Sequence, residues 1–359
     1  MVALAPSNRL RRTWWSDAVE ACGVTGYTVY NKTLLPVVFD SISEDCRHLK
    51  SAVQLWDVAC ERQIQIEGPD ADALMQRLTP RDLSRVKPQK CAYVPICDVN
   101  GGMLNDPVAL QPRPGVWWIS LADSDLAYWV EGVAMGGGYA VSVSEPDVQI
   151  LGLQGPLAND LAAEVFGEET RDIPFFGFKW LPFGSGEVLV ARSGYSKQGG
   201  FEIYVTDQAL AMPLWDHLMD KGQPFDIRAG CPNAIERIEG GMLSYGNDMT
   251  RQDTPFEAGL GRYVQRFDCL GGAALRAHQA RRQIVPIQLD SAPPTCDREW
   301  SLMSGNQRVG RVRSAAWSDE FQCGVAIGMV DMSCAAGDRL VCVTQAGEIA
   351  AEIKERFWR

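Results

Sequence analysis

The chain has 359 residues, 46% of them apolar and 22% charged, a balance that fits two or three packed globular domains and excludes a disordered polymer. Its formal net charge of −11 argues against a nucleic-acid partner, and no run approaches the roughly 20 uncharged apolar residues that span a bilayer. Eleven cysteines, without a CxxC pair and not clustered with His48, His217 or His278, read as buried reduced thiols rather than a metal site or a disulfide framework.

Arg11-Arg12-Thr13-Trp14 near the start has the outline of a twin-arginine export signal. Ser16-Asp17-Ala18-Val19-Glu20 follows in place of the apolar stretch such a signal needs, so the expected location is cytoplasmic. Residues 63–68 alternate like a strand, and Gly68-Pro69 then turns into a helix with Ala73, Leu74 and Leu78 on one face. The same grammar returns with a strand at 148–154, the turn Gly155-Pro156 and a helix over 157–165 that aligns Leu157, Leu161 and Val165. Two such units suggest two related α+β halves. Neither half contains GxGxxG or GxxxxGK[ST], so a nicotinamide or P-loop site is unsupported.

Between the halves, 94–110 centres on Asn100-Gly101-Gly102, a hairpin-turn signal, with Asn105 and Asp106 just beyond it and Pro107 marking an edge or a break. Residues 187–193 and 200–206 read as paired strands joined by a Gly-rich loop, and 209–219 and 232–243 as helices. From about 280 the character changes. Short runs at 284–289, 309–313, 325–330, 340–344 and 348–353, with turn residues between them, predict a small β-barrel. The expected division is therefore 1–280, holding two interleaved α+β domains, and 281–359, the barrel.

Three polar features could carry chemistry. Asp106 is fixed beside the hairpin; Glu202 shares a strand face with Tyr204, opposite Phe201 and Ile203; Arg237 lies on the helix 232–243. The competing readings are a solvated turn for Asp106, a solvent-facing edge for Glu202 and a surface ion pair for Arg237. Eleven tryptophans, Trp14-Trp15 and Trp117-Trp118 among them, are mainly core candidates, although aromatic faces also hold cationic methyl donors well.

Leu55-Trp56-Asp57-Val58, Gln65-Ile66-Glu67-Gly68-Pro69-Asp70-Ala71 and Gly101-Gly102-Met103-Leu104-Asn105-Asp106 resemble the first half of the glycine-cleavage T-protein family. Gly200-Phe201-Glu202-Ile203, Arg237-Ile238-Glu239, Tyr245-Gly246 and Thr254-Pro255-Phe256-Glu257-Ala258-Gly259-Leu260 resemble its second half. Ser314-Ala315, Ser318 and Ile327-Gly328-Met329-Val330 resemble its barrel, so the likeness runs in order along nearly the whole chain. It implies an α+β, three-domain cloverleaf, with two related α+β domains and a C-terminal small β-barrel around a central folate channel.

Within that family the closer resemblance is to the dimethylsulfoniopropionate demethylases. It rests on Val19-Glu20-Ala21-Cys22-Gly23-Val24, Gly26-Tyr27-Thr28-Val29-Tyr30-Asn31, Ala191-Arg192-Ser193-Gly194, Ser196-Lys197-Gln198-Gly199-Gly200 and Gly230-Cys231-Pro232-Asn233. The aminomethyltransferases proper read GYTGEDG where this chain has Gly194-Tyr195-Ser196-Lys197-Gln198-Gly199-Gly200, which speaks against a lipoyl-protein substrate. Two departures from the demethylases bear on the donor: Tyr195 stands where they have Trp, and Ala92, next to Tyr93, where they have Tyr.

The resemblance implies methyl transfer from a sulfonium to N5 of tetrahydrofolate, the cofactor and methyl acceptor. Asp106 would be the catalytic residue and would also orient the pterin. Glu202 would hydrogen-bond the pterin, with Tyr204 packing nearby and Arg237 supporting that wall. Tyr93, Tyr195 and Trp15 would flank the cationic donor, and Lys32 and Arg192 would meet its carboxylate. The implied partner is a small onium carboxylate, with neither nucleic acid, membrane nor metal; a homodimer is left open. Two alternatives stay open as well: demethylation of another donor (a quaternary ammonium, an N-methyl acid or an aryl methyl ether) and folate binding without catalysis.

Overall fold

The computed structural model describes residues 7–359, which divide into two compact units. One comprises 7–69, Lys87–Ala92 and Val108–Asn233; the other comprises Asp70–Val86, Tyr93–Pro107 and Ala234–Arg359. Among the described residues no helix is long and apolar enough to cross a membrane.

The first unit is built on a six-stranded sheet. In spatial order its strands are Phe178–Phe183, Gly186–Ala191, Gly200–Val205, Gln149–Gln154, Val53–Asp57 and Ile227–Gly230, antiparallel except for the last pair. One face carries Phe201 and Ile203 into a core with Leu161, Leu214 and Trp215 from the helices Ala158–Phe166 and Gln208–Lys221. The opposite face carries Trp56, Ile150, Leu189 and Tyr204 against Leu110, Val116 and Trp118 from a second sheet. The strand 200–206 therefore pairs with 187–193 as expected, but it is an inner strand: Gly200–Val205 is buried throughout. That removes the solvent-facing-edge reading of Glu202.

Both Gly-Pro turns form. Gly68 and Gly155 sit at φ +147° and +130°, and a Cβ there would lie 2.4 Å from the Ala140 carbonyl oxygen and 2.1 Å from that of Ala52. Only glycine lets these chains approach so closely. Each proline precedes the helix N-cap instead of opening the helix. The helix faces also differ in detail from the sequence reading. In Ala71–Leu78 the buried positions are Ala71, Leu74, Met75 and Leu78, with Ala73 exposed; in Ala158–Phe166 they are Ala158, Leu161, Ala162, Ala163 and Phe166, with Leu157 and Val165 only half-buried.

Trp15 is fully buried among Leu161, Leu214 and other residues of the first core, and its indole N–H donates to the Ala211 carbonyl at 2.9 Å. The expectation that it flanks a ligand is corrected: it is a core residue. Its replacement by Ala should cost about 3–5 kcal/mol by opening a cavity and orphaning that carbonyl. The check is a large fall in Tm for Trp15→Ala with the ligand affinity of the remaining folded protein unchanged.

In the second unit a closed barrel takes the strands Arg282–Leu289, Cys323–Asp331, Gln307–Ser318, Trp300–Ser304, Arg339–Thr344 and Gly347–Ile353 in that order around its wall. Ile287, Leu302, Val312, Ala326, Cys342 and Ala351 fill it. The sequence runs missed Trp300–Ser304 and stopped the long strand Gln307–Ser318 at residue 313, where a bulge between Val312 and Ser314 interrupts the alternation. The helix expected over 232–243 is only Ala234–Glu239, because Gly240-Gly241 follows with Gly241 at φ +64°. All eleven cysteines are free thiols, and most are buried.

Candidate active site

In the second unit the hairpin forms as the Asn100-Gly101-Gly102 signal requires. Ile96–Cys97 pairs with Met103–Asn105, and the Asp98 carboxylate closes the turn by accepting the Asn100 N–H at 2.8 Å and the Gly102 N–H at 3.0 Å. Arg251 holds the other oxygen of Asp98 at 2.7 Å. Asp106 follows the hairpin and is only 9% exposed, so it is not a solvated turn residue. The Tyr93 hydroxyl donates to its Oδ2. No ion pair to Asp106 is found among the described residues, although every neighbouring acid has one.

Burial pushes the Asp106 carboxyl up to about 7; the Tyr93 hydrogen bond pulls it down, and the like charge of Asp248 pushes it further up. Asp248 itself is buried and fully partnered, by Arg237 at 2.9 Å, the Ser314 hydroxyl at 2.5 Å and the Ser244 N–H at 2.8 Å. Arg237 also donates to Ser314 at 2.6 Å. Arg237 is thus no surface residue: its side chain is 12% exposed and ties Asp248 to the barrel strand Gln307–Ser318. The neighbouring Tyr245 donates to the Met103 carbonyl at 2.9 Å, fixing the loop against the hairpin that leads to Asp106.

In the first unit Glu202 lies on the strand face opposite Phe201 and Ile203, and is 8% exposed. Its Oε2 accepts from the Ser193 hydroxyl at 2.5 Å, and burial raises its pKa above the ordinary carboxylate value while that bond opposes the rise. Like Asp106, it has no cation partner among the described residues. Tyr204 shares the face but is wholly buried, stacked on Trp118 at 6.1 Å between ring centroids, with its hydroxyl 3.3 Å from the Ser120 hydroxyl. Its wholly buried side chain packs behind the strand face that carries Glu202. Tyr195 packs half-buried against the same cluster, while Ala92 is fully buried.

The two cations assigned to a donor carboxylate are occupied elsewhere. Lys32 sits with Asn31 in the left-handed turn of the hairpin Gly26–Tyr30/Thr33–Val38 and pairs with Asp125 at 3.7 Å on an exposed surface. Arg192 donates to the Ile173 carbonyl at 3.1 Å. Ser193, Tyr245 and Asp248 were missed as site neighbours; Ser193 and Tyr245 stood in motifs that could have flagged them, and Asp248 did not. A polar cavity of about 1050 Å³ opens beside the hairpin tip, lined by Asp98, Asn100, Arg251, Glu257, His278 and Arg282 among others. None of the expected site residues lines it. Among the described residues no group of three or more His, Cys, Asp and Glu side chains is arranged to hold a metal ion.

What this geometry can do is accept. Asp106 in the second unit and Glu202 in the first each have a single hydroxyl donor and no counter-ion among the described residues, which leaves each carboxyl acceptor capacity for the N–H groups of a ligand and leaves Asp106 able to take a proton near neutral pH.

The chain matches the GCVT N-terminal domain over residues 15–267 and the glycine cleavage T-protein C-terminal barrel domain over 282–357. It is 51% identical to the dimethylsulfoniopropionate demethylase of Ruegeria pomeroyi over 364 aligned positions, covering 100% of both chains. It is 29% identical to an aminomethyltransferase of Bacillus cereus, covering 85% of this chain and 86% of that one. Among solved structures it superposes on the glycine cleavage system aminomethyltransferase T of Bartonella henselae with a TM-score of 0.85, at 20% identity and with 98% of each chain covered, and so has that fold. The chain is a member of the glycine cleavage T-protein family, and it is more similar to the demethylase than to these aminomethyltransferases.

Proposed function

We propose that this protein is a tetrahydrofolate-dependent demethylase that takes a methyl group from dimethylsulfoniopropionate and places it on N5 of the folate, in the cytoplasm. The observation that carries the reading is the end-to-end likeness to a demethylase at 51% identity. Tetrahydrofolate is the methyl acceptor used in this family.

The residues fit that ligand. A reduced pterin presents several N–H donors and little charge, and it needs acceptors that are not already neutralised by arginine. Asp106 and Glu202 are buried carboxyls of that kind, without a cation partner among the described residues. Tetrahydrofolate supplies the nucleophilic nitrogen. Glu202, held by Ser193, would accept from the pterin ring and fix its plane. Asp106 would orient the reacting edge, and its Oδ2, already shared with the Tyr93 hydroxyl, would hold the proton released as the new N–C bond forms. A sulfonium leaves as a neutral thioether, so the donor needs no acid; the protein's work is alignment and the exclusion of water. Tyr93 and Tyr195 would supply aromatic faces for the cation.

The pH profile tests this assignment. A base works when ionised, so kcat/KM should rise with pH through about 7. The Tyr93 bond favours the carboxylate, so Tyr93→Phe should move that limb to higher pH. A limb that stays put in Tyr93→Phe would detach Asp106 from proton transfer.

A further inference from the structure

Beside Asp106, in the same unit, two arginines lie over one ring. The Arg81 guanidinium carbon lies 5.0 Å from the centroid of Tyr263 and that of Arg262 lies 4.7 Å from it. Tyr263 in turn packs against Tyr93, 5.2 Å between centroids, and Tyr93 holds Asp106. Arg81 donates from Nη1 to the Tyr93 carbonyl at 2.8 Å, and Arg262 donates from Nη2 to the Tyr263 hydroxyl at 2.7 Å.

Among the described residues neither arginine has a carboxylate partner. The nearby acids are taken: Asp82 pairs with Arg85 at 2.9 Å and lies 3.9 Å from Arg266, and Asp268 pairs with Arg266. Burial lowers the Arg81 pKa from its ordinary value, and the positive charge of Arg262 lowers it further. Half-buried guanidinium without a counter-ion is costly, and a second positive charge over the same ring adds to the cost. A carboxylate that accepts from both guanidiniums removes both penalties. The planar, multi-donor guanidinium suits a carboxylate.

The geometry points to Arg81 and Arg262, stacked on Tyr263, as the subsite for a carboxylate of the ligand held at Asp106. This rests on the folate reading above. Two ligands could present that group, the glutamate end of the folate and the propionate of the donor. Two aromatic rings separate the arginines from Asp106, a span on the order of 10 Å. That suits the glutamate end, because the donor's carboxylate lies only a few bonds from its sulfur.

The test is equilibrium binding to the full-length chain of tetrahydrofolate and of tetrahydropteroate, which has the same ring system without glutamate. Wild type should hold tetrahydrofolate about tenfold tighter. Arg262→Gln is the better variant, because Arg262 is exposed and, among the described residues, its side chain makes one hydrogen bond, to its neighbour Tyr263. It should weaken tetrahydrofolate by about tenfold and leave tetrahydropteroate unchanged, with Arg262→Lys in between. If instead Arg262→Gln raises KM for the donor and spares folate affinity, the subsite stands with the donor's carboxylate as its occupant. Unchanged binding and unchanged KM, or equal weakening of both pterins, would overturn it. Failure of wild type to bind either pterin would instead sink the folate reading, and this subsite with it.

Discussion

Asp106→Asn will lower kcat for methyl transfer by about 10²–10⁴-fold, the usual worth of a positioned acid or base. Asparagine keeps the shape and still accepts from the Tyr93 hydroxyl, but it cannot take a proton. Folate should still bind, because the ring's other contacts are untouched, so the loss should fall on kcat more than on KM. The same variant should be more stable than wild type, with a definite pH signature. The carboxyl is raised to about 7 in the folded protein against about 3.9 when unfolded, so the folded state holds its proton more tightly. Wild-type stability from this group is full below about pH 4 and is lost progressively as pH rises through 7. The Tm advantage of Asp106→Asn should therefore be smallest in acid and largest above pH 7. Equal activity of the two proteins would remove Asp106 from the chemistry; a Tm advantage that shrinks as pH rises would contradict the burial argument.

Glu202→Gln tests the other carboxyl. The replacement turns an acceptor-only group, satisfied by Ser193 alone, into one that also presents donors toward the ligand. Leaving a buried polar pair mismatched costs about 1–3 kcal/mol, or roughly 5- to 150-fold in folate affinity. Because Gly200–Val205 is an inner strand bonded on both sides, the fold should survive. Binding titration with tetrahydrofolate is the measurement. An unchanged Kd would place the pterin elsewhere.

Parts of the candidate site's geometry are legible in the sequence, for physical reasons that differ from residue to residue. Asp106 could be found because Asn100-Gly101-Gly102 enforces a local turn, and local turns do not depend on tertiary context. The pairing of Glu202 with Tyr204 on one face followed from strand periodicity; their burial did not, since a period of two says nothing of whether a strand is inner or edge. Arg237 and Asp248 are eleven positions apart, and Ser314 is on a barrel strand, so their triangle exists only in the folded unit. The same holds for Arg81 and Tyr263, joined by a ring contact that no spacing encodes. Trp15 misled for the opposite reason. An indole suits a cation's pocket and a core equally well, and here the Ala211 carbonyl and the first core claim it. Lys32 and Arg192 were matched by their place in motifs, and their partners, Asp125 and the Ile173 carbonyl, are distant in sequence.

The most direct measurement is mass detection of 5-methyltetrahydrofolate after the purified chain is incubated with tetrahydrofolate and dimethylsulfoniopropionate, beside glycine betaine and vanillate. The account predicts that the sulfonium donor alone yields the methylated folate, mole for mole with the demethylated thioether. Tight folate binding with no methylated product from dimethylsulfoniopropionate, or product from another donor in its place, would contradict it.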